Sequence, residues 1–170
     1  MALTMKTRPR LILPLAIGVT LAIVATILTV WAFERAGYTP CELCLLERQP
    51  FYAGFAVGLL TIVSVLTRRW GLASIGFAVL ALLFAAGTVI GVYHAGVEWK
   101  FWPGPSGCSG AVQAAAGVSD FMKQLESVKV VRCDAAALVV AGLSLAGWNA
   151  VISLGLLICS LVGLSRSRSA

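Results

Sequence analysis

Five cysteines and a single histidine are the side chains best suited to redox or nucleophilic chemistry in this sequence of 170 residues. Two of the cysteines form the run Cys41-Glu42-Leu43-Cys44. A two-residue spacing lets one turn close a disulfide and lets the N-terminus of a neighbouring helix stabilise a thiolate. The chemistry this serves is thiol-disulfide exchange. A bridge this short closes almost no chain loop and contributes little stability to a fold, so it suits a ring that is opened and remade.

Cys108 and Cys133 lie 25 positions apart in the second half of the chain. Zinc is the competing use of a C-x-x-C pair, and closing such a site normally takes a second close pair or histidines. With His94 as the sole histidine, a closed site would need Cys41, Cys44, Cys108 and Cys133 together. No metal is expected on this count. Four cysteines allow three pairings, and spacing alone does not choose among them. Cys159 falls in the last apolar run and is read as a buried, inert thiol, because an apolar setting disfavours the reactive thiolate.

Arg48 follows Cys44 by four residues, and a helical or turn geometry brings its guanidinium toward the thiol, where a permanent cation favours thiolate. An arginine at this place can equally snorkel to the interface or pair with Glu47 or Glu42. His94, at the end of the third apolar run, can cap helix carbonyls or face water.

The elements that must position these groups are apolar. Hydrophobic residues make up 59% of the chain and charged ones 12%, with a mean hydropathy of +0.94, far from the quarter or so of charged residues in a globular domain. The apolar residues gather into four runs, with spans expected at about 11–33, 50–67, 71–93 and 145–164. A bilayer core about 30 Å thick takes roughly 20 helical residues to cross. The expected fold is an all-α membrane protein, a four-transmembrane-helix bundle forming one integral domain over residues 1–170. Pro50 fits the first turn of a helix and turns Gln49 from helical angles. A second span starting there leaves Cys44 and Arg48 in a turn above it. The basic N-terminus before Leu11 also fits a secretory leader, but the run that follows is too long and lacks a small-residue exit. It is read as an uncleaved first span.

Charge sets the orientation. Lys6, Arg8, Arg10, Arg68, Arg69, Arg166 and Arg168 fall on one side of the spans, and every acidic residue falls on the other. By the positive-inside rule the basic side is cytoplasmic, so both termini lie inside and two loops, about 34–49 and 94–144, lie outside. Four cysteines, Cys41, Cys44, Cys108 and Cys133, occupy those outer loops, where disulfides persist. The net charge of +6 thus describes topology, and no basic cluster with interleaved aromatics points to nucleic acid.

Within the long loop, residues 119–132 carry an amphipathic stripe that suits a helix lying on the membrane surface. Residues 103–107 make the approach to Cys108 irregular and accessible, and Trp99, Phe101 and Trp102 suit interfacial anchors. Gly54 with Gly58 and Gly87 with Gly91 have the spacing of close helix packing.

The segment PCELCLLERQP, the cysteine pair in the second loop and the four-span topology together resemble the disulfide bond formation protein B family, DsbB, over almost the whole chain. The resemblance implies a bacterial inner-membrane enzyme with its redox cysteines on the periplasmic side. It implies electron flow from a soluble DsbA-like dithiol oxidase through two cysteine pairs into a membrane quinone, either ubiquinone or menaquinone. Cys108 matches the cysteine attacked by the reduced partner, and Cys133 the one that then engages Cys41, leaving Cys44 as a thiolate beside the quinone. Arg48 and His94 match residues at the quinone site. Haem is disfavoured, since one histidine cannot supply an axial pair. The same chemistry could serve a general or a dedicated partner. The reading from another class is a non-catalytic four-span scaffold with extracytoplasmic staples, whose cysteines would ignore added quinone.

Overall fold

The computed structural model describes residues 11–105 and 132–170. Four long helices account for most of them: α1 (Ile12–Arg35), α2 (Glu42–Leu66), α3 (Trp70–Glu98) and α4 (Leu145–Arg168). At 24 to 29 residues each is long and apolar enough to cross a membrane. A short hairpin, β1 (Val139–Val140) paired antiparallel with β2 (Leu143–Ser144), precedes α4. Both of its turn residues, Ala141 and Gly142, have positive φ, the twist that two-residue hairpins require. The indole of Trp148 donates to the Val140 carbonyl at 2.8 Å and ties the hairpin to α4.

The helices form a four-helix bundle in which α3 packs on α2 and α4, and α1 closes the ring against α2 and α4. Phe51, Phe77, Leu80 and Phe84 fill its centre with Ile12 and Ile23 from α1. The outward faces are just as apolar, with Leu21, Leu60, Leu82 and Val89 exposed. A helix that is hydrophobic all round belongs in a bilayer. Lipid supplies no hydrophobic drive between helices, so close approach and small residues do that work. Both glycine pairs lie at crossings: Gly54 faces Phe84, Gly58 faces Thr20, Gly87 faces Ser153, and a Cβ on Gly91 would meet the Ala150 backbone at 2.9 Å.

Three features differ from expectation. Helix α2 starts at Glu42, so Cys44 and Arg48 are helical, and Pro50 lies inside the helix. The ring forfeits only the bond to the Leu46 carbonyl, and Leu43, Pro50 and Phe51 are all buried by the packing that holds this stretch helical. Helix α3 likewise continues to Glu98, placing His94 one turn inside its end. It stops when Lys100 adopts φ 63° and Phe101 N–H reaches back to the Gly96 carbonyl at 2.9 Å, an αL termination. Finally, Cys159 is exposed on the surface of α4 rather than buried. Residues 156 and 160 take the inward face of that helix, which turns position 159 toward lipid.

Candidate redox site

Cys41 is the N-cap of α2. Its backbone is extended, and its sulfur accepts the Cys44 N–H at 3.2 Å, satisfying one of the helix's free amide donors. The remaining members follow from helical spacing. Cys44 and Glu47 are three residues apart and share a face of α2, and that face meets His94 of α3. His94 Nε2 lies 3.7 Å from Cys41 Sγ, and Nδ1 lies 2.9 Å from Glu47 Oε1. All three are withdrawn from solvent, with Cys41 4%, Glu47 6% and His94 2% exposed.

This setting acts strongly on Cys41. The hydrogen bond from the Cys44 thiol, helped by His94, lowers its pKa from 9.0 to about 4 against the opposing effect of burial. In the reduced pair the thiolate therefore settles on Cys41, with Cys44 as its donor. Cys44 becomes the sulfur available as thiolate only when Cys41 is engaged elsewhere.

A cavity of about 470 Å³ opens beside the pair. Its walls come from α1, α2 and α4, and they are mainly apolar, with Phe33, Phe51 and Ile152 among them. Cys41, Cys44, Glu47, Arg48 and His94 edge it, together with Glu98 and Asn149. Glu98 Oε2 and Asn149 Nδ2 are buried without a hydrogen-bond partner among the described residues. Arg48 reaches across to α1, where its guanidinium pairs with Glu34. Its partner is thus neither Glu47 nor Glu42, because Glu47 is committed to His94.

The second loop returns to the same place. Cys133 is 1% exposed and disulfide-bonded, and it packs in one cluster with Cys41, Leu43 and Val97, with Cys44 alongside. Cys41 and Cys44 carry free thiols. Next to Cys133, Asp134 accepts from Arg132 at 2.8 Å and from Lys100 at 2.6 Å. The hydrogen bonds from Arg132 and Lys100 hold its carboxyl well below the usual range. This pins the chain after Cys133 to the end of α3.

Of the anticipated site residues, the fold brings together Cys41, Cys44, Arg48, His94 and Cys133. Cys108, residues 119–131 of the expected surface helix and residues 106 and 107 of the approach to Cys108 lie outside the described residues. Trp99, Phe101 and Trp102 are exposed at the end of α3, and the Trp102 indole stacks on Tyr93 at 6.0 Å. Sequence reasoning overlooked Glu47 as the partner of His94, and Glu98 and Asn149 altogether. The available signal was an ionisable or amide group inside an otherwise apolar helix, which is costly unless used.

Comparison with known proteins agrees with this architecture. The chain is 25% identical over 142 residues to a Rickettsia prowazekii (strain Madrid E) protein described as uncharacterized protein RP370, covering 82% of this chain and 80% of that one. No solved structure gives a significant match. The family described as disulfide bond formation protein DsbB matches residues 10–163, and the chain, with its C-x-x-C pair capping a membrane helix, belongs to that family.

Proposed function

We propose that this inner-membrane thiol oxidoreductase is a thiol:quinone oxidoreductase that reoxidises a DsbA-like periplasmic partner. The single observation that carries the reading is the packing of Cys133 against Cys41 and Cys44, two cysteines that edge an apolar cavity. In this reading both termini are cytoplasmic and the cavity opens at the periplasmic end of the bundle, as the distribution of basic residues favours.

The partner's thiolate attacks Cys108 of a Cys108–Cys133 disulfide, and the partner's second thiol resolves the mixed disulfide. The partner leaves oxidised, with Cys108 and Cys133 as thiols. Cys133 then attacks Cys41 of the Cys41–Cys44 disulfide, freeing Cys44, and Cys108 resolves this bond to restore its own pair. Two electrons now rest on Cys41 and Cys44, with one proton on Cys44 and the other on His94 beside the Cys41 thiolate. A quinone bound in the cavity supplies the acceptor for both.

The cavity suits such a molecule: its walls are apolar, as a quinone ring needs, and Asn149 Nδ2 is a buried donor without a partner among the described residues, suited to a carbonyl. Arg48 adds a cation at the same wall. His94, oriented by Glu47, stands within reach of the Cys41 sulfur to hold or release a proton.

The test is a thiol count. Fully reduced protein titrated anaerobically with a short-chain ubiquinone, and with a menaquinone analogue, should lose two thiols per quinone consumed and stop with one thiol left, Cys159. A thiol count unchanged by either quinone would refute the reading.

A further inference from the structure

We propose that the reduced Cys41–Cys44 pair and His94 form a binding site for a thiophilic divalent cation, Zn²⁺ above all, that competes with disulfide formation. The sequence argument against zinc counted a single histidine as too few to close a site and so required the second-loop cysteines. The fold removes that requirement. Cys41, Cys44 and His94 each present one ligand atom, and all three atoms lie within 4.8 Å of one another.

The spacing suits a tetrahedral ion. Zinc-sulfur and zinc-nitrogen bonds of about 2.3 and 2.05 Å at a tetrahedral angle separate sulfur from nitrogen by about 3.6 Å. Cys41 Sγ and His94 Nε2 stand 3.7 Å apart. The second observation is the state of the imidazole. Nδ1 is engaged by Glu47 at 2.9 Å, so Nε2 is the nitrogen that faces the sulfurs, and it becomes a ligand when an incoming cation displaces its proton. A carboxylate behind a histidine in this manner is the usual support of a metal-ligating imidazole. The three ligands also border the cavity, which leaves a fourth position open to water, as in zinc sites that are not closed by protein.

Binding moves no electrons. The cation takes two thiolates and one neutral imidazole and releases to solvent the thiol proton and the His94 Nε2 proton still present. Forming the Cys41–Cys44 disulfide withdraws two electrons from the same sulfurs and expels the cation, so metal and disulfide exclude each other. Zinc would therefore hold the enzyme in its reduced state.

Co²⁺ added to phosphine-reduced full-length protein, after removal of the phosphine, reports on this directly. The expected result is one Co²⁺ per chain with sulfur-to-cobalt charge-transfer absorption and the intense visible bands of a four-coordinate ion, bleached by one equivalent of Zn²⁺. The double variant Cys108→Ser, Cys133→Ser should keep these bands, whereas Cys44→Ser should lose them. Glu47→Gln, with all three ligands intact, should weaken binding by about 10-fold to 100-fold. Absence of the bands in reduced wild type, their survival in Cys44→Ser, their loss in the double variant, or unchanged affinity in Glu47→Gln would each overturn the assignment. Neither quinone nor a partner enters the readout, so the outcome is independent of the oxidoreductase reading.

Discussion

The Nε2 atom of His94 lies 3.7 Å from the Cys41 sulfur, although 53 positions separate the two residues in the chain. That contact joins the N-cap of α2 to the last turns of α3, and it sets the chemistry of the pair. An N-capping sulfur already receives a backbone N–H, and the Cys44 thiol and His94 add to it. Four predictions and a final test follow from this geometry.

The first concerns pH. The Cys41 pKa falls from 9.0 in the free thiol to about 4 in the fold. A depressed acid stabilises the folded reduced protein fully above the unfolded value, and the contribution declines as pH falls from 9 toward 4. Thiolate absorbance near 240 nm in reduced protein lacking Cys108 and Cys133 should therefore persist at pH 6 and fall to half near pH 4. In His94→Ala the transition should move toward the ordinary thiol range. A transition near 9 in the parent protein would contradict the assignment.

Glu47→Gln keeps the side-chain shape but removes the charge that orients His94. A hydrogen bond to a charged group contributes about 1.5–3 kcal/mol, so quinone turnover should fall roughly 10-fold to 100-fold. The same substitution should raise the pH at which the Cys41 thiolate is lost if His94 acts through Glu47. An unchanged profile would leave Glu47 with a packing role only.

Quinone affinity should respond to the far wall of the cavity. Asn149→Leu removes a buried donor without touching the cysteines, and loss of one hydrogen bond of about 1–2 kcal/mol predicts a 5-fold to 30-fold higher KM for quinone. Arg48→Ala should act in the same direction and also release Glu34 on α1. The Cys41 thiolate absorbance should survive in Asn149→Leu, which separates substrate binding from thiol chemistry.

Helix packing supplies an independent check. At Gly91 a methyl group would meet the Ala150 backbone at 2.9 Å, and backbone cannot step aside as a side chain can. Gly91→Ala should cost about 1–3 kcal/mol of stability, seen as a lower melting temperature in detergent. Gly155→Ala meets nothing within 4 Å and should be neutral.

Much of this was legible beforehand because the bilayer constrains composition so strongly. Four apolar runs become four helices, since a spanning segment must satisfy its own backbone, and the C-x-x-C pair could be read from spacing alone. The start of α2 was not legible. Pro50 is a local signal for a helix start, but the burial of Leu43, Pro50 and Phe51 is a tertiary effect that overrides it. Moving that boundary back to Glu42 is what puts Cys44 and Glu47 on one helical face. The site's acid was hidden for the same reason: Glu47 sits beside Arg48 in sequence, yet in space it serves His94, and Arg48 serves Glu34. Likewise Cys159 lies in an apolar run, which fixes its depth in the membrane but not whether it faces protein or lipid.

The most direct test of the electron path follows quinone absorbance after mixing purified protein with a reduced C-x-x-C partner and a short-chain ubiquinone, repeated with menaquinone. Sustained turnover in the wild type and its loss in Cys44→Ser is the predicted result. Normal turnover in Cys44→Ser, or none in the wild type with either quinone, would contradict the account.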